Sequence, residues 1–423
     1  MKIGAFAALH GVSIDTVRHY MDLGLLIPEK QGSQYIFDKR CGDDLEEINS
    51  LKTMNFALAE IRTIIMFRRL GKQTSYKEDT AFHQLFIDKY NKVTGLLEEL
   101  KQVSSRLETK IRELDSTKVK KPFKLGVQLR NLGLLSCASC HGELILSQAQ
   151  VTDNQIMEGS LVCKCGMQYV IEDGILLPGL KGLDGSGNVY DGNTVEAADS
   201  LNFDQVSDYI KSTDDAYLQN VYKSLEWAYR KLDFNELDGR IMLELGSGIG
   251  FFLRLCYEDL PENTVYIAVD REISVQRSLK HILEMSGTGR NILFICADFL
   301  EVPIRDKAAD IVLDLAGTSN YSFDHEEFLL KPALRYFSDH AYLLGSYILF
   351  RNFSADSKVA AGNRRNFKRE HIKTEISALG FQIVSEAMSD FLEKGGKYES
   401  YFTNGEQVNS CVIYAKRLGL HEV

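Results

Sequence analysis

No apolar run in this 423-residue sequence reaches the roughly 18 residues needed to cross a bilayer. The N-terminus also lacks the basic, apolar, small-residue order of a secretion signal, so a cytoplasmic protein is expected. Positive charge is short as well. The formal net charge of −10 argues against a nucleic-acid binder that uses its whole surface, and leaves room for one locally basic face. The composition is not that of a disordered chain, with 44% apolar and 26% charged residues. At about 100–200 residues per domain, the length provides for two or three domains.

What is present starts with helical spacing. Ile3, Phe6, Ala7 and Leu9 form one short apolar face, Gly11 breaks it, and Ser13 is placed to cap a second helix through Thr16, Val17, Arg18, His19 and Tyr20. Gly24 ends that helix, and "LLIPEKQGSQYIFD" then reads as a short β-wing. Leu45, Ile48, Leu51, Leu58, Ile61 and Ile65 give further helical stripes. From Phe86 the apolar positions fall at Tyr90, Val93, Leu97, Leu100, Leu107, Ile111 and Leu114, interrupted at Ser104. That alternation of fours and threes predicts a coiled-coil helix over 80–117 and hence a homodimer.

This order of helices, aromatic wing and long helix resembles the MerR family of bacterial transcriptional regulators. The resemblance implies a winged helix-turn-helix DNA-binding domain over 1–75 and an antiparallel pair of long helices. It also implies two heads on a palindromic double-stranded promoter site and RNA polymerase as a partner. Carried over by position, Thr16, Arg18, His19 and Tyr20 are expected at the groove and backbone, and Lys30, Tyr35 and Lys39 at the wing. Arginine and tyrosine there supply phosphate contacts, which set affinity and register. Ile36 stands where the family usually has an arginine.

"KVKKPFK" at 118–124 is basic, contains proline and lacks period, and reads as a linker. Beyond it Cys137 and Cys140 have knuckle spacing, and Cys163 and Cys165 form a second pair with one residue between them. Four thiolates can close a tetrahedral site and hold together a module too small for its own core. The surrounding text, "LSCASCHGELIL" and "GSLVCKCGMQYVIEDGILL", is similar to small zinc-ribbon domains attached to some tRNA and rRNA methyltransferases. A small β module over 125–180 with structural zinc is therefore expected; a metal-free ribbon, or a site completed by His141, remains open. Cys41, Cys256, Cys296 and Cys411 are scattered among apolar neighbours and read as buried thiols.

"IMLELGSGIG" closes an apolar strand on Gly246, Gly248 and Gly250. Strands ending in Asp270 and Asp298, then "ADIVLDL", alternate with helices and indicate an α/β doubly wound parallel sheet over 200–423. In such sheets a ligand binds at the carboxyl ends of the strands. A dinucleotide fingerprint would place a third glycine at 251, where Phe251 stands, so a pyrophosphate is disfavoured. The glycine loop and the two strand-end acids are similar to motifs of class I S-adenosylmethionine-dependent methyltransferases, a Rossmann-like fold. That resemblance implies Glu244, Gly246, Ser247, Gly248 and Gly250 beside the methionine part of S-adenosylmethionine. Asp270 would take the ribose hydroxyls, and Asp298 with Phe299 the adenine. Asp314, Asn320 and Tyr321 are expected on the acceptor side, where the absence of an Asn-Pro-Pro-Tyr run disfavours DNA base methylation. The chain thus reads as a DNA-binding regulator carrying a methyltransferase for a small-molecule acceptor. A catalytically silent sensor of the cofactor or its product is the main rival, and an RNA-modifying enzyme the lesser one.

Overall fold

Two short helices open the chain, α1 (Ile3–Leu9) and α2 (Ile14–Asp22). The computed structural model describes residues 1–115, 123–181, 203–395, 399 and 401–418, and the chain forms two units, Met1–Lys118 and Val119–Val423. The linker reading at 118–124 falls largely outside the described residues, as does the end of the long helix at 116–117.

In the first unit Ser13 caps α2, its hydroxyl accepting from the Thr16 N–H at 3.0 Å. Gly24, at φ +69°, takes the left-handed turn that ends the helix. The wing is a hairpin of β1 (Glu29–Gln31) and β2 (Gln34–Ile36), in which Lys30 and Tyr35 are direct cross-strand partners. Helices α3 (Lys39–Thr53) and α4 (Leu58–Leu70) follow. Phe6, Val17, Leu26, Phe37, Leu45, Ile48, Ile61 and Ile65 meet in one core. The Arg68 guanidinium bridges Asp44 and Glu47, tying α4 to α3. Helix α5 (Thr80–Asp115) runs for 36 residues, and only its first turns, at Phe82, Leu85 and Phe86, reach that core.

The second unit is built on a 13-stranded sheet. Its first strands are β3 (Val127–Gln128), β4 (Leu144–Thr152), β5 (Gln155–Cys163), β6 (Met167–Glu172), β7 (Ile175–Leu176) and β8 (Leu180–Lys181). Helices α6 (Phe203–Ser212) and α7 (Asp215–Tyr229) precede β9 (Ile241–Leu245), α8 (Phe251–Cys256), β10 (Val265–Asp270), α9 (Ile273–Met285) and β11 (Ile292–Cys296). Then come β12 (Ala309–Asp314), α10 (Gly317–Asp324), α11 (Leu330–Ala333), β13 (Phe337–Phe350), α12 (Arg369–Ala378), β14 (Phe381–Met388) and β15 (Val408–Arg417).

Strands β11, β10, β9, β12 and β13 lie side by side and parallel. The order reverses at β9, which is flanked by β10 and β12, and this is the topological switch point of a doubly wound sheet. The terminal strands β15 and β14 complete the edge antiparallel. This is the doubly wound, Rossmann-like architecture expected from the glycine loop.

The opposite edge departs from the sequence reading, which treats 125–180 and 200–423 as separate. Strand β7 adds to β11 in parallel register, Ile175 against Phe294 and Leu176 against Ile295. The cysteine-bearing hairpins therefore continue the large sheet, and Cys137, Leu161 and Tyr169 share a core with Leu243, Leu245 and Ile295. A buried clamp reinforces the join. Lys280, 1% exposed, reaches Glu284 at 2.6 Å and Asp173 at 3.2 Å. Glu284 also accepts from the Leu125 N–H at 2.9 Å. A buried ion pair with every group satisfied holds one arrangement, and removing one partner strands the other charge.

Candidate functional site

At the switch point three glycines adopt left-handed backbone, Gly246 at φ +82°, Gly248 at φ +50° and Gly250 at φ +72°. Each has a different reason to lack a side chain. A Cβ on Gly250 would meet Leu279 Cδ1 at 2.2 Å, and one on Gly246 would meet the Phe299 ring at 3.3 Å. One on Gly248 would meet nothing within 4 Å, so that glycine leaves its backbone open to a ligand. The Gly248 N–H donates to Asp270 Oδ2 at 2.9 Å, and the Glu272 N–H donates to Asp270 Oδ1 at 3.0 Å. The strand-end acid thus sits against the loop, half-buried.

Asp298 lies exposed at the end of the next strand, accepting from the Leu300 N–H at 3.0 Å, and the Phe299 ring leans over Gly246. Sequence reasoning missed Gln276. It is fully buried on α9, and its amide donates to the Ala268 carbonyl at 3.1 Å and, longer, to Ser247 Oγ and the Ile295 carbonyl at 3.4 Å. A glutamine at helical spacing between Ile273 and Leu279, on the face turned to the sheet, was the available signal.

Two expected contacts need correction. Glu244 points beneath the loop, 3% exposed, and accepts from the Tyr266 hydroxyl at 2.8 Å. Burial pushes its carboxyl up to about 8, and the Asp270 charge adds to the rise. Buried and bonded to Tyr266, its carboxyl is not presented at the surface of the loop. Ser247 likewise turns inward, 5% exposed, toward Gln276.

The acceptor side is also changed. Asp314 is fully buried and caps α10, taking the Thr318 N–H at 2.7 Å and the Thr318 hydroxyl at 2.6 Å. Burial lifts its carboxyl to about 6 against those donors. Asn320 is exposed, and Tyr321 stacks on His325 with ring centres 3.9 Å apart. Of the three expected residues, Asn320 and Tyr321 remain accessible.

The four clustered cysteines do converge. Their sulfurs all lie within 4.8 Å of one another, with Cys137 to Cys165 at 3.6 Å and Cys140 to Cys163 at 3.3 Å. A tetrahedral zinc with sulfurs about 2.3 Å away sets sulfur pairs roughly 3.8 Å apart, so the set fits a metal ion. The short "CKC" spacing is absorbed by a turn in which Gly166, at φ +88°, donates its N–H to the Cys163 carbonyl at 3.0 Å. Gly142 leaves the sulfurs room, since a Cβ there would sit 3.2 Å from Cys140 Sγ. Burial acts to raise the Cys137 thiol, but backbone N–H groups of Cys140 and Ser139 and the Tyr169 hydroxyl bring it down to about 7. His141 is turned away to Arg335, 3.1 Å from its Nη1, and no histidine or carboxylate joins the group among the described residues.

On α2, Arg18 and His19 are exposed, Thr16 is half-buried with its hydroxyl 2.8 Å from Ser13, and Arg18 is loosely paired with Asp15 at 3.4 Å. Lys30, Tyr35 and Lys39 are exposed on and beside the wing. Tyr20 is corrected: it is 2% exposed, its ring in the core with Val17, and its hydroxyl accepts from Lys52 Nζ at 3.1 Å. Residues 1–66 match the family model of the MerR HTH family regulatory protein. This MerR-type domain is a DNA-binding one.

No curated protein matches the chain. Among solved structures, a SAM-dependent methyltransferase from Geobacter sulfurreducens, in complex with S-adenosyl-L-homocysteine, is 16% identical over 46% of this chain and 91% of that one, with a TM-score of 0.36. A SAM-dependent methyltransferase from Aquifex aeolicus is 16% identical over 48% and 94%, with a TM-score of 0.32. An arsenic(III) S-adenosylmethionine methyltransferase from Chlamydomonas reinhardtii is 13% identical over 47% and 75%, with a TM-score of 0.35.

Proposed function

We propose that this chain is a dimeric DNA-binding transcriptional regulator whose second unit binds S-adenosylmethionine and methylates a small-molecule acceptor. The observation that carries the cofactor reading is the glycine loop at the switch point, with Asp270 against Gly248 and Asp298 beside Phe299 on the adjoining strand end. Asp270 would hold the ribose hydroxyls, the Asp298–Phe299 segment the adenine, and the open face of Gly248 the methionine portion. Held there, the cofactor would supply an electrophilic methyl group to an acceptor nucleophile, the carbon–sulfur electron pair staying with sulfur. The protein's share of that step is to align nucleophile and methyl, which requires no general base.

Arg18 and His19 on α2, with Lys30, Tyr35 and Lys39 at the wing, would contact double-stranded promoter DNA. Pairing through α5 would supply the second head, because Tyr90, Leu97, Leu100, Leu107, Ile111 and Leu114 present their apolar side chains to solvent in the single chain. RNA polymerase at the same promoter follows from the family resemblance. The cysteine cluster would hold a structural zinc; with four thiolates no open position is left for catalysis.

A second reading is a sensor without turnover. It is supported by the same glycine loop and strand-end acids, which would hold the cofactor whether or not turnover follows.

The deciding experiment titrates the purified chain with its own upstream DNA at one fixed salt concentration, with and without saturating S-adenosylmethionine. Cofactor binding is measured separately by calorimetry. A several-fold shift in DNA affinity makes the cofactor a signal, by reciprocity of linked binding. Saturable cofactor binding with no shift removes the sensor. Absence of cofactor binding removes both readings.

A further inference from the structure

The segment that follows β13 carries a net charge opposite in sign to that of the chain as a whole. Between 351 and 369 stand Arg351, Lys358, Arg364, Arg365, Lys368 and Arg369 against the single acid Asp356, in a chain of net charge −10. Strand β13 runs parallel to β12, so this segment leaves the sheet at the carboxyl ends of the strands, the rim that carries the glycine loop.

It is built as a rigid element. Buried Asn363 donates to the Phe323 carbonyl at 2.9 Å, and buried Asn366 to the carbonyls of His325 and Glu326 at 3.2 and 3.1 Å. Both asparagines thereby clamp the segment to the end of α10. The other end of α10 starts at Gly317, where a Cβ would touch the Leu245 carbonyl at 2.6 Å beside the glycine loop. One helix spans from cofactor loop to basic rim. Below the rim Phe350, Val359, Phe367 and Val408 form a small core of their own.

Four cations of this rim, Arg351, Arg364, Arg365 and Lys368, are held by neutral acceptors. Arg351 donates to Gln407 Oε1 at 2.9 Å, Arg364 to the Val359 carbonyl at 3.2 Å, and Arg365 to the Glu326 carbonyl at 3.3 Å. Lys368 donates to the carbonyls of Phe350 and Arg351 at 2.8 and 3.2 Å. Arg364 and Lys368 share one ring, at 5.0 and 4.8 Å from the centre of Phe353. Among the described residues none of these four forms an ion pair, whereas the adjacent Arg369 is paired with Glu370 and Glu386. The buried Glu406 under the loop is spent on the N–H groups of Ser354 and Thr403 at 3.1 and 2.7 Å. Partial burial holds the Lys368 ammonium below its usual range. Two cations fixed at one ring without a carboxylate repel each other, and an oxyanion placed between them relieves that cost.

We propose that this rim anchors the anionic group of the methyl acceptor, with Arg351, Arg364 and Lys368 selecting a small molecule that bears a carboxylate or a phosphate. The assignment rests on the methyltransferase reading for the word acceptor; the oxyanion site itself does not. Arg365 stands at the rim end of α10, where it donates to the Glu326 carbonyl.

The test uses the full chain saturated with S-adenosylhomocysteine, at constant ionic strength, titrated by calorimetry with citrate and with inorganic pyrophosphate. Arg351→Gln/Arg364→Gln is compared with wild type and with Lys307→Gln, an exposed cation elsewhere on the same unit that is paired with Asp339. Saturable binding of either probe is expected, weakened tenfold or more in the double variant and unchanged in Lys307→Gln. Thermal unfolding and S-adenosylhomocysteine affinity should match wild type in both variants. A wild-type chain that binds neither probe saturably, or an equal loss in Lys307→Gln, overturns the site. A single-stranded RNA oligonucleotide that binds wild type and is lost in the double variant overturns the small-molecule assignment. Failure of S-adenosylhomocysteine to bind, with probe binding intact, removes the methyltransferase reading alone.

Discussion

The Ser136 backbone N–H donates to the Pro303 carbonyl at 3.0 Å, and the Arg305 N–H returns a bond to the Leu134 carbonyl at 2.9 Å. The chain beside the first cysteine is thus stitched to the loop that begins with Asp298 and Phe299. Metal capture would fix the thiol side of that stitch, because a thiolate site and its local fold form together.

Removing the metal should therefore weaken cofactor binding. Treatment with a strong chelator, or Cys140→Ser, is expected to lower S-adenosylmethionine affinity by about 5- to 150-fold, the usual range of coupling between sites. Calorimetry before and after zinc is restored reads the effect. An affinity indifferent to zinc would show the stitch to be passive.

The glycines separate packing from access. Gly250→Ala should destabilise by about 1–3 kcal/mol through the clash with Leu279, with the left-handed backbone cost of about 1–2 kcal/mol added to it, seen as a lower denaturant midpoint. Gly248→Ala carries only the left-handed backbone cost of about 1–2 kcal/mol, yet should abolish cofactor binding. Equal cofactor affinity in Gly248→Ala and wild type would remove that loop from the site.

Glu244 sets a pH dependence. Its folded carboxyl, at about 8, lies above the unfolded value of about 4.3, so between those pH values the native state holds the extra proton. Stability therefore falls as pH rises through that window. Glu244→Gln keeps an acceptor for Tyr266 and removes the slope, gaining up to a few kcal/mol on wild type from pH 5 to pH 8. Urea midpoints at the two pH values would tell; parallel curves would mean the buried carboxyl does not titrate there.

For the DNA-facing surface, Arg18→Ala should reduce the slope of log affinity against log salt by about 0.9, the signature of one lost phosphate contact. Tyr20→Phe should leave that slope unchanged, since its hydroxyl is engaged by Lys52. The reverse pattern would return Tyr20 to the interface.

Leu97→Lys with Leu107→Lys should turn a dimer into a monomer in sedimentation. DNA affinity then falls by roughly 10²–10⁴ with the loss of two-headed binding. A variant that stays dimeric would place the interface elsewhere than on α5.

Local signals were legible because they act locally. Ser13 caps, Gly24 turns, and the strand-end acids Asp270 and Asp298 stand where period and punctuation put them. Sidedness was harder. In a parallel sheet covered on both faces, Glu244 and Leu245 look alike to a sequence pattern, so nothing announced that the acid points into the core. Tyr20 could have been found, because it lies three residues after Val17 on the same helical face. The pairing of β7 with β11 could not: it joins segments far apart in the chain and leaves no short-range trace.

That pairing has a consequence for synthesis. Leu176 meets Ile295, 119 residues further along the chain. At roughly 5–20 residues per second, the ribosome makes β7, and the four cysteines before it, at least about 6–24 seconds ahead of the strand against which their module docks. During that interval the thiols are chemically accessible, and capture of a metal ion would protect them from oxidation until the sheet closes over Cys137 and Cys163.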